Sequence, residues 1–136
     1  MAEPDHVTGL ETRRTLEAFL AKSGGAVFAL AVVMCDVVGL KAVNDREGFA
    51  AGDAQLRTAA ERLRSAATGA AMLARLGGDE LVAVFAGPQA AADAERTMSH
   101  LAAGCLPPLR AAATVQQQGE TCGPLIDRLY AIVRRS

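Results

Sequence analysis

Apolar positions along this chain of 136 residues fall into three spacings. From Ala26 to Cys35 they are continuous, with Val27, Phe28, Leu30, Val32 and Val33 inside the run. That pattern predicts a strand buried on both faces, and so a central one. Leu56, Ala59, Ala60, Leu63 and Ala67 recur at helical spacing, with Arg57, Glu61, Arg62 and Arg64 facing out and Asp53 as the expected N-cap. Leu10, Leu16, Phe19 and Leu20 form another helical stripe, opened by a Thr8-Gly9-Leu10-Glu11 capping box and stopped at Ser23-Gly24-Gly25. Val38 to Asp45 reads as a short helix, and Arg46 to Gly52 as a loop. Two short apolar runs, Met72 to Leu76 and Leu81 to Phe85, flank Gly77-Gly78 and predict a hairpin. Gln89 to Ala103 reads as a helix with Ala94, Met98 and Leu101 inward, and Leu109 to Val115 as a strand. A last helix starts at Gly123-Pro124, with Leu125, Leu129, Ile132 and Val133 on one side. This order predicts an α/β (α+β) sandwich with a mostly antiparallel central sheet flanked by helices, in a ferredoxin-like or palm-type core. The length fits one domain over residues 1–136.

Composition narrows the function. A net charge of −1 gives no electrostatic footprint for nucleic acid, and 4% aromatics without Trp gives no base-stacking platform. The longest apolar run is too short to span a bilayer, so no membrane segment is expected. Cys35, Cys105 and Cys122 are odd in number and widely spaced, which fits reduced thiols and a cytoplasmic location better than disulfides or zinc.

Two features carry chemistry. Asp79 and Glu80 follow the double-glycine turn, so rigid backbone holds two carboxylates at a hairpin tip. Asp36 closes the long apolar run. Should folding bring Asp36 and Asp79 together, they form a hard-oxygen site for Mg²⁺ and a place for nucleoside triphosphate chemistry.

Three blocks carry a family resemblance. The first, from Asp5 through Thr8-Gly9-Leu10 to Arg13-Arg14, is similar to D-x-L-T-G-L-x-N-R-R. The second runs from Asp36 through Lys41, Asn44 and Asp45 to Gly48, Gly52 and Asp53, and is similar to D-x-D-x-F-K-x-I-N-D-x-x-G-H-x-x-G-D. The third is Gly77-Gly78-Asp79-Glu80-Leu81. In this order and at these separations they resemble the GGDEF family, the diguanylate cyclase catalytic domain.

The resemblance implies condensation of two GTP to cyclic di-GMP, one GTP per subunit across a two-fold dimer. It implies Mg²⁺ or Mn²⁺ at Asp36, Val37 and Asp79, with Asp79 or Glu80 helping to deprotonate the ribose 3′-hydroxyl. Asn44 and Asp53 match the guanine readers: Asn offers a donor and an acceptor, and Asp accepts from guanine N1–H and its exocyclic amine. Lys41 would lie near the phosphates, and Gly77 and Gly78 would let phosphate or ribose approach the main chain. The expected partners are GTP and a second copy of the chain, or a partner GGDEF or regulatory protein.

Departures from the family pattern bear on activity. Leu81 replaces the signature Phe, Val38 the second Asp, and Phe49 the usual His, while Gly39 and Leu40 precede Lys41. The family's T-x-S-x-G reads Thr114 to Gln118, Val133 takes an expected Lys position, and the following Arg falls beyond Ser136. Thr68 to Ala71 replace the Arg-x-x-Asp product-inhibition motif, so no inhibitory site is expected. These changes keep open a degenerate domain that binds guanine nucleotide as a regulatory or interaction module. A polymerase-like palm sharing only the paired acids is a third reading, against which Asn44 and Asp53 argue.

Overall fold

The computed structural model describes residues 3–22, 30–104, 106–117 and 119–135; the side chains of Cys122 and Arg135 are outside that description. Among the described residues, five strands form one sheet in the order β1-β3-β4-β2-β5. These are β1 (Glu11–Thr12), β2 (Ala31–Val37), β3 (Met72–Arg75), β4 (Glu80–Phe85) and β5 (Leu109–Val115). Only β1 and β3 pair parallel; β3–β4, β4–β2 and β2–β5 are antiparallel. The helices are α1 (Arg13–Lys22), α2 (Leu40–Glu47), α3 (Phe49–Ala66), α4 (Ala90–Ala103) and α5 (Cys122–Arg135). The run β2-α3-β3-β4-α4-β5 is a ferredoxin-like β-α-β-β-α-β unit, which leaves β2 paired on both edges.

Strand alternation divides the core into two layers. Val33, Cys35, Val37, Leu81, Ala83 and Phe85 face α3 and α4. Val32, Met34, Val82 and Val84 face α1 and α5, meeting Leu16, Leu20, Leu125 and Leu129. The sheet is thus covered on both faces, which is why β2 reads as an unbroken apolar run. Cys35, fully buried, has its thiol pushed up to about 12 mainly by desolvation, so it behaves as a small core hydrophobe.

Several local expectations change. The stop at Ser23-Gly24-Gly25 and the strand residues before Leu30 lie outside the described residues, as do Cys105 and Gln118. Thr8 caps no helix: its N–H and hydroxyl donate to Asp5 and its oxygen accepts from Leu10 N–H, closing a turn. The next helix begins at Arg13, and Thr12 Oγ1 accepts from Thr15 N–H at 3.3 Å as its cap. Of the expected Arg46 to Gly52 loop, Arg46 and Glu47 belong to α2, which starts at Leu40 rather than Val38, and residues 49–52 belong to α3. Gly48, at φ 92°, absorbs the break between α2 and α3 in one residue, so α3 starts at once. Asp53 therefore lies inside α3 and does not cap it. Arg62 does not face solvent freely; its guanidinium donates to the carbonyls of Leu101 (2.8 Å) and Pro107, tying α3 to the end of α4.

Candidate functional site

The site forms where the C-terminal end of β2 meets the tip of the β3–β4 hairpin. Asp36 stands opposite Glu80 in the β2–β4 register, and Val37 N–H donates to the Asp79 carbonyl at 3.0 Å. This fixes the tip against β2, and the carboxyl groups of Asp36 and Asp79 come within hydrogen-bonding reach. Desolvation first, then the hydrogen bond and charge of Asp79, push Asp36 up to about 6, with Arg110 pulling the other way. Glu80 is also raised, by desolvation and then by Asp79. Acids held together at half-buried positions resist ionising together, and a shared cation relieves that conflict.

Glu80 is folded back over the turn. Its Oε2 accepts from Asp79 N–H at 3.2 Å, and a Cβ on Gly77 would lie 2.6 Å from the same oxygen. A side chain at Gly77 would push the Glu80 carboxylate out of this position, whereas a Cβ on Gly78 would meet open space. The Tyr130 phenol of α5 hydrogen-bonds Glu80 and interacts with Arg13 of α1, and the Arg134 guanidinium stacks 5.6 Å from its ring centroid.

The hairpin tip has a clamp that sequence reasoning missed. Arg75 donates from Nε to the Gly77 carbonyl (3.2 Å), from Nη2 to the Gly78 carbonyl (2.8 Å) and from Nη1 to Asp5 (3.2 Å). Asp5 in turn holds the Thr8 turn. Burial raises the Asp5 pKa, but the Thr8 hydrogen bonds and the Arg75 charge outweigh it and leave the carboxyl lowered.

The residues expected to read guanine, Asn44 and Asp53, lie on α2 and α3. Asn44 Oδ1 is buried without a hydrogen-bond partner, and a Cβ on Gly52 would sit 1.7 Å from it. A buried acceptor without a partner is costly, and a ligand donor removes the cost. Asp53 follows Gly52 directly, with its carboxylate freed from capping. Lys41 is exposed on α2, one residue into the helix. Gly39 is no helical cost: it precedes α2 at φ 77°, where a left-handed residue makes the turn out of β2.

Among the described residues, no three His, Cys, Asp or Glu side chains are arranged as an ion cage. The donor set fits Mg²⁺ nonetheless, since that ion is commonly held by one or two carboxylates with substrate phosphates filling the remaining positions. Val37 has a buried apolar side chain, so only its carbonyl oxygen is available to an ion. Two departures prove remote from this chemistry. Thr114 lies at the far end of β5, opposite Val32, and takes a hydrogen bond from Arg128. Val133 is a core residue packed with Leu125 and Leu129, so that helix position points into the interior and not at a phosphate.

A palm-type α/β domain with a double-glycine hairpin carrying its acids defines a narrow class. The family profile described as "Diguanylate cyclase, GGDEF domain" matches residues 2–123, and the chain belongs to the GGDEF family. An uncharacterized protein of Mycobacterium bovis is 40% identical over 93 residues, covering 67% of this chain and 15% of that protein. The diguanylate cyclase TpbB of Pseudomonas aeruginosa is 34% identical over 113 residues, covering 80% of this chain and 26% of TpbB. A solved sensory box/GGDEF family protein from Caulobacter crescentus superposes with a TM-score of 0.78 at 33% identity, covering 98% of this chain and 97% of that one. The chain thus spans about 15% of the length of its mycobacterial relative. No described helix is long and apolar enough to cross a membrane.

Proposed function

We propose that this domain is a Mg²⁺- or Mn²⁺-dependent diguanylate cyclase, condensing two GTP to cyclic di-GMP across a dimer. The observation that carries the reading is the meeting of Asp36 and Asp79 at the hairpin tip. Asn44 and Asp53 select guanine through a base edge that adenine does not present. Lys41 and the open face of Gly78 receive the triphosphate. Asp36, Asp79 and the Val37 carbonyl would hold the divalent ion, which when bound would supply positive charge against the phosphates. Asp79, with Glu80 beside it, accepts the proton of a ribose 3′-hydroxyl as that oxygen attacks the α-phosphate of the facing GTP and pyrophosphate leaves. Each copy supplies one half-site, so two must face each other. A partner GGDEF or regulatory protein is the alternative means of bringing the half-sites together.

Incubating the protein with Mg²⁺ and GTP and resolving nucleotides by chromatography tests this. Cyclic di-GMP that falls at least about 100-fold in Asp79→Ala supports it. The ion pair between Arg110 and Asp36 favours a second reading, a guanine-nucleotide-binding module without turnover. Saturable GTP binding with no product identifies that case.

A further inference from the structure

Strand register places Arg110 of β5 directly opposite Asp36, on the sheet face that Glu80 shares. Cross-strand partners have Cβ atoms about 4.5–5.5 Å apart, so this neighbour is permanent. The Arg110 Nη2 lies 3.5 Å from Asp36 Oδ2; the Asp36 side chain is 18% exposed and that of Arg110 is 45% exposed. The cation thus reaches from solvent to the carboxylate that an ion would need. A half-exposed guanidinium on a long stem can swing away at small cost, unlike the buried end of the pair.

We propose that Arg110 is a tethered counter-cation that occupies Asp36 in the free protein and competes with the divalent ion for it, thereby setting the metal requirement of the site. The proposal rests on the reading of Asp36 as a metal carboxylate. Arg110 is a positioning residue here: it holds Asp36 until the ion arrives, then turns outward. No covalent step is involved.

The test is Mn²⁺ titration of the nucleotide-free protein, with free ion read by electron paramagnetic resonance at about 0.15 M salt. Arg110→Gln is expected to bind Mn²⁺ roughly two- to fivefold more tightly than wild type, the factor that an exposed ion pair supplies. Arg110→Lys should return most of the wild-type affinity, because the charge and its reach are kept. Arg64→Gln, which removes the same charge elsewhere, should leave affinity unchanged. Unchanged or weaker binding in Arg110→Gln, or an equal gain in Arg64→Gln, overturns the role of Arg110 while leaving the metal site standing. Mn²⁺ binding that survives Asp36→Asn, or is absent from wild type, overturns the metal reading and the competition with it.

Discussion

Arg75 and Asp5, separated by 70 residues in the chain, share an ion pair at 3.2 Å while the same guanidinium grips both glycine carbonyls of the acidic turn. Both side chains are largely buried, at 20% and 15% exposed. Arg75→Ala should therefore destabilise the fold by about 1–3 kcal/mol in urea unfolding. Arg75→Lys should recover little of it, because a lysine lacks the fork that reaches two carbonyls and a carboxylate at once. Asp5 has a lowered pKa, so its contribution is full above its unfolded value of about 3.8. It is lost as pH falls through the folded value. The cost of Asp5→Asn should shrink at low pH; a cost independent of pH would contradict the charged pair.

Asp36 gives the opposite sign. Its folded pKa, about 6, is above the unfolded value, so the folded state holds its proton more tightly. The metal-free protein should be more stable near pH 4 and lose that increment as pH rises to about 6. Asp36→Asn should flatten this stretch of the stability profile. Adding Mg²⁺ above pH 6 should restore stability to wild type and not to the variant, read as melting temperature.

Asn44 separates binding from folding. Its amide oxygen is buried without a partner, so Asn44→Ala should leave the unliganded stability within about 1 kcal/mol of wild type. GTP affinity should fall by about tenfold or more, with discrimination against ATP narrowed. Gly52→Ala should have a similar effect on binding, since its methyl group would occupy the Asn44 oxygen position. Calorimetric titration with both nucleotides checks this; undiminished GTP selectivity in either variant would contradict guanine reading by Asn44.

Condensation needs two half-sites, so specific activity should rise with protein concentration until dimers dominate. A specific activity independent of concentration, with the protein monomeric in sedimentation, would exclude the cross-dimer reaction.

Much of the fold could be read from the sequence because its periodicities are local. The buried run of β2 and the paired runs around Gly77-Gly78 announce their own burial, and β5 matches its expected span. The start of α3 was hidden because Gly48 and Gly52 look alike as letters. One breaks the chain at positive φ; the other sits inside a helix to admit Asn44. β1 is only two residues long, too short for any alternation to register. At the site, Asp36, Asp79 and Glu80 were visible as acids at element ends. Arg75, Arg110 and Tyr130 were not, because their importance comes from partners 70, 74 and 50 residues away, brought close only by strand order and helix docking. Val133 shows the converse: its motif position marks a missing Lys, but that its side chain is buried in the core emerges only once the helix is docked.

The central claim is spatial: one divalent ion shared by Asp36 and Asp79 beneath a guanine nucleotide. Anomalous scattering from a crystal grown with Mn²⁺ and a non-hydrolysable GTP analogue tests it most directly. The account predicts a peak between the two carboxylates and the phosphates, with guanine against Asn44 and Asp53. A manganese peak elsewhere, or nucleotide bound with Arg110 still paired to an ion-free Asp36, would contradict it.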